Sequence, residues 1–184
     1  MLEKSDNLDK AFEAKNFKLK NIDGNYYSLD VLKGIQGTLI FFICNHCPYV
    51  KAIATKLERD TSELRKHGIN SIGIMSNDFI EYPEDSFENM IKFSKLNNFS
   101  FPYLLDETQC VAKDYNAKCT PDFFGFDKNL LLKYRGRIDN SGMNYNIKSK
   151  RELFISMKAI SEGKNIPFNN PSIGCSIKWK NNDK

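Results

Sequence analysis

Five consecutive apolar residues, Leu39-Ile40-Phe41-Phe42-Ile43, run straight into Cys44-Asn45-His46-Cys47-Pro48. A short apolar run rich in aromatic and β-branched residues reads as a strand buried on both faces. A helical pattern follows to about His67: Val50, Ala54, Leu57 and Leu64 form its apolar stripe, and Gly68 stops it. Proline is tolerated in a helix only in the first turn, so Pro48 places both cysteines at the helix start. The expectation is a buried strand feeding a helix that carries two thiols on one face of its first turn. Unpaired amides and the positive end of the helix dipole favour a thiolate there.

The flanking sequence alternates strand and helix signals. Residues 1–13 are polar and read as a loose arm. Asn16 to Asn21 alternates with period two, Asp23-Gly24-Asn25 is a turn, and Tyr26 to Leu29 is its hairpin partner. Ile69 to Met75 is a second buried strand, and Pro83 opens a helix to about Asn97. Phe101 to Leu104 is a short extended piece, and Asp106 caps a helix to about Tyr115, with Gln109 placed as in a capping box. Phe123 to Phe126 and Leu130 to Tyr134 form a hairpin, Tyr134-Arg135-Gly136-Arg137 leaves the sheet for water, and Arg151 to Ser161 is the last helix. Strands alternating with helices, and a late hairpin, imply one α/β domain over 14–163 in three layers. Residues 164–184 read as a C-terminal tail packing on it, anchored by Trp179.

Composition narrows the function classes. At 184 residues, 41% hydrophobic and 27% charged, the chain has room for a single well-buried domain. The net charge of +4 is spread along the chain, with no Lys/Arg run of the kind that binds nucleic acid. The N-terminal segment has no apolar core or cleavage signal of a secretory leader, and no stretch approaches the roughly 20 apolar residues of a membrane span. A cytoplasmic location is the expectation, with no nucleic-acid or membrane partner. Five cysteines in a reducing compartment do not make a structural disulfide framework.

Cys44, taken to sit at the cap where exposure is greatest, is expected to be the attacking thiolate, and Cys47 the resolving thiol. His46 between them, when protonated, adds to the field that stabilises the thiolate and makes the couple more oxidising than a proline there would. Thr120-Pro121 precedes an apolar strand. In a domain of this shape the bond is expected to be cis and to present the backbone of Thr120 to an extended substrate. Cys119 and Cys175 are candidate additional redox thiols, whereas Cys110 reads as a buried small hydrophobe. Asp78, Asp106, Asp122 and Asp139 are candidate proton-transfer groups, and nothing in their spacing selects one.

These motifs together resemble the thioredoxin-like superfamily, in the branch that groups AhpC/TSA proteins with TlpA/ResA-type thiol reductases. The resemblance rests on Phe17-Lys18-Leu19 through Asp23-Gly24, on Cys44 to Val50, on Phe101-Pro102-Tyr103-Leu104 with Asp106 and Gln109, and on Thr120-Pro121 with Phe123-Phe124 and Asp127. It implies a thioredoxin-like α/β/α sandwich with a mixed central sheet and an N-terminal β-hairpin extension. Peroxiredoxins of this superfamily carry Thr-x-x-Cys and an Arg before the Phe-x-x-Asp strand. This chain has Cys44 in place of that Thr and Thr120-Pro121-Asp122 where the Arg would fall.

Both departures favour a thiol–disulfide oxidoreductase working through a Cys44–Cys47 disulfide without another cofactor. Its expected partners are a disulfide-containing protein or small thiol substrate, and a thiol reductant or reductase as electron donor. A thiol peroxidase using Cys47, resolved by Cys44 or Cys175, is the second enzyme reading. The third is Zn or Cu binding by Cys44, His46, Cys47 and a distant Cys119 or Cys175.

Overall fold

Strand β4 (Gly37–Phe42) is buried along its whole length, and the molecule is built outward from it. The computed structural model describes residues 1–144, 146 and 148–180. β4 pairs in parallel with β5 (Ile69–Met75) and antiparallel with β8 (Asp122–Asp127). β5 pairs in parallel with β6 (Tyr103–Leu105), and β6 meets the hairpin β2 (Lys18–Asn21) and β3 (Tyr26–Ser28). β9 (Leu132–Gly136) closes the other edge, giving the seven-stranded order β3-β2-β6-β5-β4-β8-β9.

Successive side chains of a strand point to opposite faces, so β4 feeds two cores. Leu39 and Phe41 pack with Val50, Ile53 and Leu57 of α2 (Pro48–Arg65), Met90 and Phe93 of α3 (Phe87–Leu96), and Leu153 and Met157 of α5 (Glu152–Ser161). Ile40 and Phe42 join Leu29 of α1 (Leu29–Leu32), Val111 and Ala112 of α4 (Cys110–Asp114), Tyr115 and Phe124. This is the thioredoxin-like three-layer α/β/α sandwich with a mixed sheet and an N-terminal hairpin. Among the described residues no helix is long and apolar enough to cross a membrane.

Four local expectations need correction. The polar start is not loose: β1 (Leu2–Lys4) pairs with β10 (Ile173–Ser176), which also pairs with β7 (Cys119–Thr120), making a second, three-stranded sheet. The segment from Pro83 is a 3-10 turn (Pro83–Asp85) that breaks at Ser86, whose hydroxyl caps α3 by accepting from the Asn89 amide. Arg135 does not leave for water. Its guanidinium lies 4.5 Å over the Phe124 ring and donates to Asp122, a buried pairing that keeps Tyr134 to Gly136 in the sheet. Cys110 is exposed at the head of the short α4. Of the tail expected at 164–184, residues 181–184 lie outside the described residues.

Candidate active site

The last ladder bond of the β4 edge runs from the Ile43 amide to the Ile74 carbonyl, 3.0 Å, and the chain then turns through Cys44 to Cys47 before α2 begins. A residue preceding proline is pushed out of the helical region, and Cys47 is accordingly extended at φ −61°, ψ 123°. Pro48 therefore makes Cys47 the cap and leaves Cys44 outside the helix altogether. This corrects the expected placement. Cys44 is not the exposed cap thiol; it is 1% exposed, and Cys47 is just as deeply covered.

The two sulfurs share their surroundings. The Cys44 thiol and the Thr120 hydroxyl lie 3.4 Å apart, and a protonated Cys47 donates to the Thr120 carbonyl at 3.1 Å. When Cys47 ionises, the Cys44 thiol hydrogen-bonds to it. That bond is the largest influence lowering the Cys47 pKa, to about 5, against the opposing effect of burial. The Val50 amide in the first turn of α2 also lowers it, pointing at the sulfur without closing a well-formed cap bond. The same shared proton, together with burial and the charge of Asp85, holds Cys44 well above the ordinary thiol range.

Asp85 organises the turn between the cysteines, and nothing in the sequence beyond its place after Pro83 marked it. One carboxylate oxygen accepts from the Asn45 amide at 2.8 Å and the His46 amide at 3.3 Å. The other accepts from the Asn77 side chain at 2.8 Å and lies 2.7 Å from His46 Nδ1. Asp85 raises the His46 pKa, and the imidazole also stacks on Tyr82 at 5.7 Å. The positive charge expected to serve Cys44 is thus shared first with a buried carboxylate. Asn45 clips the turn from its other side: its amide donates to the Glu84 carbonyl at 3.1 Å and its oxygen accepts from Tyr103 at 3.0 Å.

The four aspartates of the sequence reading do other work. Asp106 accepts from the Val111 and Ala112 amides at the head of α4, Asp139 pairs with buried Lys56 at 2.6 Å, and Asp78 receives the Ile80 amide. Asp122 pairs with Arg135 at 3.2 Å, and burial raises its pKa to about 6. Gln109 makes no capping box. It takes a left-handed backbone at φ 63°, and its amide donates to the carbonyls of Ser76 and Lys178.

The Thr120–Pro121 bond is cis. The backbone of Thr120 is not free, because Cys175 of β10 stands directly across from it. Cys175 stands near enough to Cys47 to be influenced by its charge, and Cys119, one residue along β7, turns its thiol to the Pro121 carbonyl at 3.5 Å. Burial raises the Cys119 pKa far above the ordinary thiol range, and burial with the neighbouring Cys47 raises that of Cys175 to about 11. The ligand atoms of Cys44, His46 and Asp85 lie within 4.8 Å of one another, with Nδ1 of His46 already engaged by Asp85. A groove of about 440 Å³ at Pro121 is lined also by Tyr49, Ile53, Ile138 and Ile173. A second cavity of about 640 Å³, lined by Gln36, Asp127 and Lys164, lies at the opposite end of β4.

The AhpC/TSA family model matches residues 11–135. An uncharacterized conserved protein from Geobacillus kaustophilus is 43% identical, with a TM-score of 0.93 over 98% of this chain and 97% of that one. A hypothetical protein from Sinorhizobium meliloti 1021 is 33% identical, with a TM-score of 0.89 over 96% and 98% of the two chains. Peroxiredoxin Q of Oryza sativa subsp. japonica, a chloroplastic protein, is 26% identical over 136 residues, which are 69% of this chain and 58% of the rice protein. The chain thus spans less than two thirds of the length of that relative.

Proposed function

The chain belongs to the AhpC/TSA family, and from that premise we propose that it is a thiol–disulfide oxidoreductase whose working pair is Cys44 and Cys47. What supports this reading is that the two buried sulfurs meet at one residue, Cys44 at the Thr120 hydroxyl (3.4 Å) and Cys47 at the Thr120 carbonyl (3.1 Å), with the Cys47 pKa lowered and the Cys44 pKa raised. The Cys47 thiolate attacks a sulfur of the substrate disulfide. One substrate thiolate leaves, and Cys47 is held in a mixed disulfide. Cys44, touching the same sulfur, gives up its proton and attacks Cys47, closing the Cys44–Cys47 disulfide and releasing the second substrate thiol. An external thiol donor then restores the dithiol. This order is the opposite of the one expected from the sequence, and what supports it is that Cys47 is the capping residue and its pKa is the lowered one. The substrate is a protein or small-molecule disulfide, and the groove at Tyr49, Ile53 and Pro121 is the surface it would meet.

Disulfide reduction with insulin as substrate tests the pair. In Cys44→Ser combined with Cys175→Ser the mixed disulfide at Cys47 accumulates and turnover is lost, and in Cys47→Ser no adduct forms. Turnover by that double variant at the wild-type rate would overturn the assignment.

One observation favours a thiol peroxidase as the second reading. Cys47 is the acidic sulfur, and Cys44 donates to it as the Thr of a Thr-x-x-Cys motif would. Peroxide consumption that survives Cys44→Ser but not Cys47→Ser would establish it.

A further inference from the structure

The place that a bound extended substrate would take is filled by the chain itself. β10 lies antiparallel against β7, with Cys175 across from Thr120 and Ser176 across from Cys119. Thr120 is also the residue that both sulfurs of the pair touch, through its hydroxyl and its carbonyl. Cys175 therefore comes to the dithiol by strand register, in the position where the register of a paired substrate strand would set its reactive sulfur.

The approach is built in at close range. A Cβ at Gly174 would overlap the Thr120 carbonyl oxygen, so only glycine lets the two backbones meet here. Ser172 fastens the start of the strand, its hydroxyl donating to the Pro121 carbonyl at 2.6 Å. β1 covers the outer edge, with Leu2 across from Cys175, and past the strand the Lys178 amide donates to Asn77 at 2.9 Å.

We propose that Cys175 is a third redox thiol and β10 a tethered substrate strand, which latches itself over Thr120 by forming a Cys47–Cys175 disulfide. The proposal rests on the dithiol reading above. In the oxidised protein the Cys175 sulfur attacks Cys47. The Cys47–Cys175 bond forms, the Cys44–Cys47 bond breaks, and Cys44 leaves with the electron pair and takes up the proton that Cys175 released. The exchange is redox-neutral and needs no reagent beyond the disulfide formed in turnover. Its product has a free Cys44 and β10 held covalently across Thr120.

The test is peptide mapping of the full-length protein after oxidation with hydroxyethyl disulfide, acid quenching, alkylation and trypsin. Residues 34–51, which hold Cys44 and Cys47, and residues 165–178, which hold Cys175, are separate tryptic peptides. The wild type is expected to yield the two peptides cross-linked, with fragment ions placing the bridge on Cys47. In Cys175→Ser the cross-link is lost and the Cys44–Cys47 disulfide is the end product. Gly174→Val keeps the thiol but drives the strand off Thr120, and the cross-link is lost there too.

Absence of the cross-link from the wild type, a bridge on Cys44, or an undiminished cross-link in Gly174→Val would each overturn the latch while leaving the dithiol reading intact. Failure of Cys175→Ser to form any Cys44–Cys47 disulfide would overturn the dithiol reading itself, and the exchange with it.

Discussion

Cys47 and Asp85 carry the electrostatics of the site, and each makes a measurable prediction. Thiolate absorbance near 240 nm in the reduced protein should rise with a midpoint near pH 5, and Cys47→Ser should remove that step. A folded thiol pKa below the unfolded one stabilises the native state above the unfolded value of about 8.5, and that contribution is lost as pH falls through the folded value. Wild type minus Cys47→Ser, compared by urea unfolding of the reduced proteins, should show stability rising from about pH 5 towards the ordinary thiol range. His46 has the opposite sign. Its raised pKa stabilises below the unfolded value of about 6.5 and ceases to do so as pH climbs through the folded value. Asp85→Ala removes the acceptor of three donors besides the imidazole, and should cost roughly 2–4 kcal/mol in urea unfolding while the His46 titration measured by NMR moves down. The dithiol was legible as a motif because its spacing is local. Asp85 was not, because it reaches the turn from 39 positions away through a 3-10 turn whose sequence shows only a helix start.

At the scale of the element, β4 and α2 are one unit: the strand sets the depth of the turn, and Pro48 sets where the helix begins. Phe41 is fully buried, edge-on to Phe101 at 5.0 Å and 5.6 Å from Phe123. Phe41→Ala should therefore cost about 3–5 kcal/mol, read as a lower denaturant midpoint with an unchanged slope. The long periodic elements declared themselves in sequence. α2 spans Pro48–Arg65 against an expected 47–67, and β5 spans Ile69–Met75 as read. The strands that surround the thiols did not. β1, β7 and β10 have two to four residues each, too few for a period to show, and their register comes from partners far along the chain. Arg135 misled for a related reason. A charge in sequence reads as solvent-facing, and the buried Asp122 that holds it is not a sequence neighbour.

For the whole molecule, on the proposed dithiol reading, the fold stabilises one redox state over the other. The native environment holds the Cys47 thiolate, and the disulfide form forfeits that interaction. A bridge spanning only positions 44 to 47 closes a very small loop, so it returns little through the unfolded chain. The reduced protein should therefore melt at a higher temperature than the disulfide form near pH 7, and a higher melting temperature for the oxidised protein would contradict it. The layered architecture was readable from alternation of elements. The closure of both chain ends over the active face was not, since it joins residues 2–4, 119–120 and 173–176 in one small sheet.

Asn77 stands where those two regions join, giving its amide group to Asp85 and its carbonyl oxygen to the Lys178 main chain. One side chain thus braces the floor of the cysteine turn and the end of the covering strand at once. The carboxylate that anchors the imidazole and the main chain past the covering strand therefore meet at a single carboxamide.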